Sequence, residues 1–321
     1  MTELEFNSSM LFESVRVTEK AAIAASAMIG KGNEKKADQL AVNAMRQMLG
    51  EMHIDGTVVI GEGERDQAPM LYVGERVGKG GVVVDIALDP LEGTTICATG
   101  GPNSMTVLAI TKGGGLLNAP DVYMQKIAIG CTSDQLIIDL DDSPKTNLTR
   151  LAKVKNCKIE DLTVVILDRE RHAEIIHQVR EAGARIKLIK DGDIAAVIDT
   201  ALSNTGVDMY LGIGGAPEGV LAAAALSTTG GQMMGRLIFD DEKQKVRARS
   251  MGIKDLNKKY LIQDMARSDD IIFAATGVTH GSLLQGVKAL PDGNLLTDSI
   301  LMSSKYKTIH RIGTEHRNFI K

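Results

Sequence analysis

Tryptophan is absent, and aromatic residues make up only 3% of the 321-residue chain. Large rings therefore do not dominate the interior, and packing falls to Ala, Ile, Leu, Val and 15 methionines. The three cysteines, Cys97, Cys131 and Cys157, stand far apart and form no CxxC pair. That excludes a disulfide-built scaffold and suits free thiols in a reducing compartment. No apolar run approaches the roughly 20 residues of a membrane-spanning helix. The stretch Met1 to Phe6 lacks the basic and apolar regions of a signal peptide, so a cytoplasmic location is expected. A formal net charge of −4 argues against a general nucleic-acid or membrane surface. Any phosphate site must then be built locally, by cations and a few basic residues.

Common catalytic signatures are missing too. Gly212 and Gly214 match the first two glycines of a dinucleotide fingerprint, but the third position is Pro217. Gly74 to Gly78-Lys79 is one residue short of a Walker A loop and lacks its Ser/Thr. His172 and His177 have the wrong spacing for an HExxH zinc site, and no serine sits in a GxSxG elbow.

What is present is an ordinary soluble composition, 44% hydrophobic and 24% charged, with material for one large domain or two smaller ones. Helical spacing predicts a helix from about Met10 to Ile29 and a second from about Lys36 to Met52. Strands are expected at Thr57–Ile60, Val82–Leu88, Met105–Thr111 and Val122–Ile129. The second half alternates: strand Leu162–Leu167, helix Arg171–Ala182, strand Arg185–Ile189, helix Ile194–Leu202, strand Val207–Ile213, helix Glu218–Leu226. That rhythm predicts a βαβ sheet, largely parallel. A late strand is expected at Ile271–Ala275, and a further strand or hairpin at Ile300–Ile312. The change of rhythm near 130–160 suggests two subdomains, 1–150 and 151–321.

The most informative stretch is Asp89-Pro90-Leu91-Glu92-Gly93-Thr94, which follows an apolar, β-branched strand. Proline is expected to end that strand. Two carboxylates then sit beside a glycine and a threonine hydroxyl. Asp38, Glu62 and Glu64 stand near other element ends. Each acid alone reads as a solvated surface group; several at one sheet edge would repel one another unless cations held them. Basic residues Arg169 and Arg171 follow one later strand, and Asp191-Gly192-Asp193 follows the next. These read either as an ordinary helix start and a capped turn, or as a phosphate grip and an acceptor for sugar hydroxyls.

The segments ADQLAVNAMRQML, IDGTVVIGEGERDQAPMLYVGE, DIALDPLEGT, LNAPDVYMQK, GIGGAPEGV and DMARSDDIIFAATG resemble, nearly end to end, the class II bacterial fructose-1,6-bisphosphatase family. That family belongs to the metal-dependent, lithium-sensitive sugar and inositol phosphatases. The resemblance therefore implies an α/β fold layered α-β-α-β-α. It implies Mn²⁺ or Mg²⁺ held by Asp38, Glu62, Asp89, Glu92 and Glu218, with Thr94, helped by Glu62 or Glu64, orienting or activating water. It implies substrate contacts at Glu92, Gly93, Thr94, Tyr123, Arg169, Glu170, Arg171, Asp191, Gly192, Asp193 and Gly215. The first subdomain would carry the metals and the second the substrate, with Glu218 completing the metal set. Where the wider superfamily writes Asp, this chain has Glu92, which favours the class II type over an inositol monophosphatase. Asn33 to Lys36 shifts an expected basic residue, and Lys35 stands nearest its place. The implied reaction is hydrolysis of the 1-phosphate of fructose 1,6-bisphosphate. The alternative substrate is sedoheptulose 1,7-bisphosphate, and a non-catalytic sensor would require a broken acid set. The implied partners are a sugar bisphosphate and one or three further copies of the chain, with no nucleic acid or membrane.

Overall fold

A computed structural model describes residues 8–63, 69–130, 133 and 135–317. From the N-terminal side the elements are α1 (Ser8–Ser26), α2 (Glu34–Glu51), β1 (Ile54–Ile60), β2 (Arg76–Val77), β3 (Val82–Glu92), α3 (Thr94–Thr99) and β4 (Met105–Lys112). Next come β5 (Tyr123–Ile129), α4 (Pro144–Lys155), β6 (Thr163–Leu167), α5 (Ala173–Ala182), β7 (Arg185–Ile189) and α6 (Asp193–Asp199). They are followed by β8 (Met209–Gly215), α7 (Ala216–Ser227), β9 (Gln232–Ile238), α8 (Glu242–Ser250), β10 (Tyr260–Leu261) and α9 (Ile262–Met265). The chain ends with β11 (Ile271–Gly277), β12 (Lys288–Ala289), β13 (Leu295–Ser303) and β14 (Thr308–His316). The class is mixed α/β, with two mixed sheets.

These elements form two compact units. One holds the described residues up to Leu116 together with those from Ser268 onward; the other is Leu117–Arg267. The expected boundary at residue 150 falls inside α4, within the second unit. The reason is strand pairing: β5 runs antiparallel to both β8 and β9, so the chain is committed to the second sheet before the rhythm changes.

In the first unit an eight-stranded sheet has the order β12-β13-β11-β4-β3-β1-β2, with β14 paired to β13. The expected strand or hairpin at Ile300–Ile312 is the β13–β14 hairpin. Asn33 caps α2 by accepting from the Lys36 N–H, satisfying one of the donors a helix start leaves open. Small residues of α1 and α2 (Ala21, Ala22, Ala25, Ala37, Ala41) let the helices pack closely with Val84, Ile86, Leu88, Leu108 and Ile110 of the sheet.

Strand β3 does not stop at Pro90 as expected. Asp89 pairs with Val107 and Glu92 with Met105, so one extra residue is taken up between them. Proline needs no ladder hydrogen bond in such a bulge, and the bulge re-aims the side chains around it.

The second unit contains a six-stranded sheet, β10-β9-β5-β8-β6-β7. Strands β7, β6 and β8 are parallel, whereas β5, β9 and β10 pair antiparallel, so the largely parallel expectation holds for half the sheet. Its core gathers Ile127, Leu148, Leu151, Val164, Ile166, Val179 and Met209. Among the described residues, no helix is long and apolar enough to cross a membrane.

Candidate active site

In the first unit, β1 and β3 are parallel neighbours, so the residues leaving their C-terminal ends emerge at the same sheet edge. Glu62 leaves β1 there, and Asp89 and Glu92 are among the last residues of β3. The Gly61 step is sterically set, because a Cβ on it would stand 2.1 Å from the Leu71 carbonyl oxygen. The same approach lets the Glu62 N–H donate to that carbonyl at 3.0 Å. Leu71 has a left-handed φ of 56°, and its N–H donates to the Glu75 carboxylate, which also pairs with Arg46. A half-buried ion pair thus braces a strained residue that in turn holds the Glu62 backbone.

Carboxylate oxygens of Asp89 and Glu92 lie within 4.8 Å of each other. Glu92 is only 5% exposed. Asp89 Oδ1 accepts from the Leu91 N–H at 3.0 Å, which fixes its side chain across the bulge. Burial, followed by the like charges of Asp38 and Asp89, pushes the Glu62 carboxyl up to about 8. Burial also raises Asp38 on α2. The first unit therefore brings together Asp38, Glu62, Asp89 and Glu92. This donor set fits a hard divalent cation: the oxygens suit Mg²⁺ or Mn²⁺, and such an ion offsets the like charges that add to burial in raising Glu62.

Gly93 has a left-handed φ of 76° and turns the chain from β3 into α3, which begins at the half-buried Thr94. Glu64 lies outside the described residues, as does Cys131; Cys97 and Cys157 are free thiols, as expected.

The second unit collects the remaining expected residues at one edge. Arg169 to Arg171 follow β6, Asp191 and Gly192 follow β7, and Gly215 ends β8, all at the C-terminal edge of the parallel strands. Tyr123 begins the antiparallel β5 opposite Gly215 and so reaches the same edge. The Arg171 guanidinium lies 4.8 Å from the Tyr123 ring centroid. It also donates from Nε and Nη2 to the Ile213 carbonyl, at 3.1 and 2.8 Å. Arg169 and Glu170 are exposed. Gly192 has a φ of 83° and donates to the Asp191 carboxylate.

Two expected residues are placed differently from a simple surface reading. Asp193 turns inward, where its Oδ2 accepts from Lys126 and from the Tyr210 hydroxyl. Its carboxylate is therefore occupied by protein partners. Glu218, in the first turn of α7, folds back over Gly215, where a Cβ would stand 1.9 Å from Glu218 Oε2. Only glycine at 215 permits that arrangement. Lys126 and Tyr210 were not among the expected site residues, although Lys126 ends the LNAPDVYMQK segment, and His172 stood out only as a further basic residue after Arg169 and Arg171.

A family model described as bacterial fructose-1,6-bisphosphatase, glpX-encoded, matches residues 8–316. The D-fructose 1,6-bisphosphatase class 2/sedoheptulose 1,7-bisphosphatase of Synechococcus sp. (strain JA-3-3Ab) is 43% identical over 329 residues, covering 95% of this chain and 94% of its own. The protein of the same description from Synechocystis sp. is 42% identical over 335 residues, covering 97% and 96%. Among solved structures, Mycobacterium tuberculosis SuhB aligns with 68% of this chain and 84% of its own, at 14% identity and a TM-score of 0.41. With a family model running from residue 8 to 316 and relatives above 40% identity along almost their whole length, the chain belongs to the bacterial fructose-1,6-bisphosphatase family, a family of phosphatases.

Proposed function

We propose that the protein hydrolyses the 1-phosphate of fructose 1,6-bisphosphate, giving fructose 6-phosphate and phosphate, with Mn²⁺ or Mg²⁺ as cofactor. The observation that carries this reading is the meeting of Asp38, Glu62 and Asp89, where burial and then the like charges of Asp38 and Asp89 push Glu62 up to about 8. Asp38, Glu62, Asp89 and Glu92 would hold the cation, and Glu218 joins them on the family motif. When bound, a divalent ion supplies Lewis acidity to a water and offsets charge on phosphoryl and leaving oxygens.

The chain's own groups do the rest. Thr94 orients the attacking water through its hydroxyl, and a carboxylate, Glu62 or Glu64, takes the proton. Gly93 and Thr94 contact the reacting phosphate. Arg169 and Arg171 hold the distal phosphate; the N–H groups of Arg171 not given to Ile213 remain to donate to it. Tyr123, Glu170, Asp191, Gly192 and Gly215 line the sugar. Asp193 serves through its backbone and through the shape it gives the turn, because its carboxylate already has Lys126 and Tyr210. Anchoring the remote phosphate orients the reacting one.

The second reading, sedoheptulose 1,7-bisphosphate as a further substrate, is favoured by relatives named for both activities. A cytoplasmic homodimer or homotetramer belongs to the same proposal. Phosphate release from both bisphosphates, with each metal added to stripped protein, tests it. Release from neither substrate under any metal would overturn it.

A further inference from the structure

His172 is fully buried at the end of the Arg169–Arg171 segment, yet no step proposed above uses it. It follows the second arginine directly and ends a 3₁₀ turn, Glu170–His172, that leads into α5. Its side chain makes no cap bond to that helix. Instead the ring spans two strands. Nδ1 lies 2.7 Å from the Leu167 carbonyl oxygen at the end of β6, and Nε2 lies 2.8 Å from the Ile213 nitrogen in β8.

Backbone chemistry assigns both bonds. A carbonyl only accepts, so Nδ1 carries the proton; an amide N–H only donates, so Nε2 presents its lone pair. The imidazole is neutral and in one tautomer. Burial and the charges of Arg171 and Arg169 act in the same direction, disfavouring the imidazolium.

The reason a side chain is needed lies in the sheet. Strands β6 and β8 pair at Val164–Met209 and Val165–Tyr210. Farther along, the Ile213 N–H goes to His172 and the Ile213 carbonyl to Arg171. Consecutive side chains therefore satisfy both backbone polar groups of one residue, as a neighbouring strand would. Close approach is built in, because a Cβ on Gly212 would meet His172 Nε2 at 3.3 Å.

We propose that His172 is the positioning residue of the distal-phosphate grip: by tying Leu167 to Ile213 it fixes where Arg171 stands against β8 and hence where its remaining donors point. This rests on the reading of Arg171 as a distal-phosphate contact. Loss of the ring frees the Ile213 N–H and lets the arginine segment shift. A misplacement of about 1 Å is enough to cost binding contacts heavily. The acids Asp38, Glu62, Asp89 and Glu92, which belong to the first unit, keep their arrangement.

The test compares His172→Ala, His172→Gln and His172→Asn with Arg171→Ala. Each is assayed on fructose 1,6-bisphosphate, on fructose 1-phosphate, and for competitive inhibition by fructose 6-phosphate, which carries only the distal phosphate. His172→Ala is expected to raise both KM for the bisphosphate and Ki for fructose 6-phosphate by about 10-fold, with kcat within about 2-fold. Activity on fructose 1-phosphate should be unchanged within the same margin. Glutamine restores an acceptor near the Nε2 position and should recover most of the loss, whereas asparagine, too short to reach Ile213, should not. If alanine gives no folded protein, the glutamine–asparagine difference in Ki decides. Equal losses on both substrates, or an unchanged Ki, overturn the proposal. If Arg171→Ala also leaves Ki unchanged, the distal-phosphate reading is what has failed; if Arg171→Ala raises Ki and His172→Ala does not, only the role of His172 falls.

Discussion

Lys126 and Asp193, 67 residues apart in the chain, form an ion pair inside the second unit, with the lysine fully buried and the aspartate 6% exposed. The same ammonium donates to the Gly215 carbonyl at 3.0 Å, and Tyr210 donates to the same carboxylate oxygen. One buried cation thus ties the turn after β7 to the end of β8, the two segments expected to line the sugar.

Removing one member of such a pair leaves an uncompensated charge in the interior. Lys126→Met should therefore destabilise the protein by about 3–5 kcal/mol. Adding Asp193→Asn to it should recover a large part of that loss, because the orphaned charge disappears. Urea denaturation of the wild type, both single variants and the double variant checks this. A double variant that loses the full sum of the single losses would show the two residues to be uncoupled.

Glu62 sets a pH dependence. Its carboxyl is raised from 4.5 to about 8 in the metal-free protein. A raised acid binds its proton more tightly when folded, so its contribution to stability is complete below about pH 4.5 and is lost as pH rises through 8. Glu62→Gln should remove that decline in metal-free protein. A cation must displace the same proton, so Mn²⁺ affinity should rise about 10-fold per pH unit up to pH 8. Calorimetry between pH 6 and 9 reads the affinity and the proton released; an affinity flat across that range contradicts the assignment.

Thr94 separates chemistry from binding. Thr94→Ala should lower kcat by about 10²-fold or more while changing substrate affinity far less. Steady-state kinetics on fructose 1,6-bisphosphate decide it. A raised KM with intact kcat would make Thr94 a phosphate clamp.

Arg171 should mark the bisphosphate preference. A guanidinium on the distal phosphate is worth about 1.5–3 kcal/mol. Arg171→Ala is thus expected to cut kcat/KM for fructose 1,6-bisphosphate by about 10- to 150-fold and to leave a monophosphate lacking the distal group nearly unaffected. Equal losses on both would place Arg171 at the reacting phosphate or in the fold.

The placing of Asp89 to Thr94 and Arg169 to Arg171 at or after strand ends was legible because each segment follows an apolar run, while their roles came from the resemblance. Their supports were not legible. Lys126 sits among Gln125 and Ile127 in a strand whose burial depends on which elements cover it, and its partner is distant in sequence. His172 looks like one more polar residue at a helix start until β8 comes alongside. Strand β9, with Gly235 inside it and a glycine pair before it, was not among the expected strands; it is a strand through its pairing with β5 and β10. Pro90 misled for a related reason: a local rule forbids it in a ladder, while the bulge against β4 removes the need for its N–H.

Metal dependence of turnover tests the central claim most directly. Protein stripped with a chelator and then dialysed should release no measurable phosphate from fructose 1,6-bisphosphate. Adding Mn²⁺ or Mg²⁺ should restore release of one phosphate per sugar, leaving fructose 6-phosphate. Full turnover in the stripped protein, or none after either metal is returned, would contradict the assignment of Asp38, Glu62, Asp89 and Glu92 as a catalytic metal site.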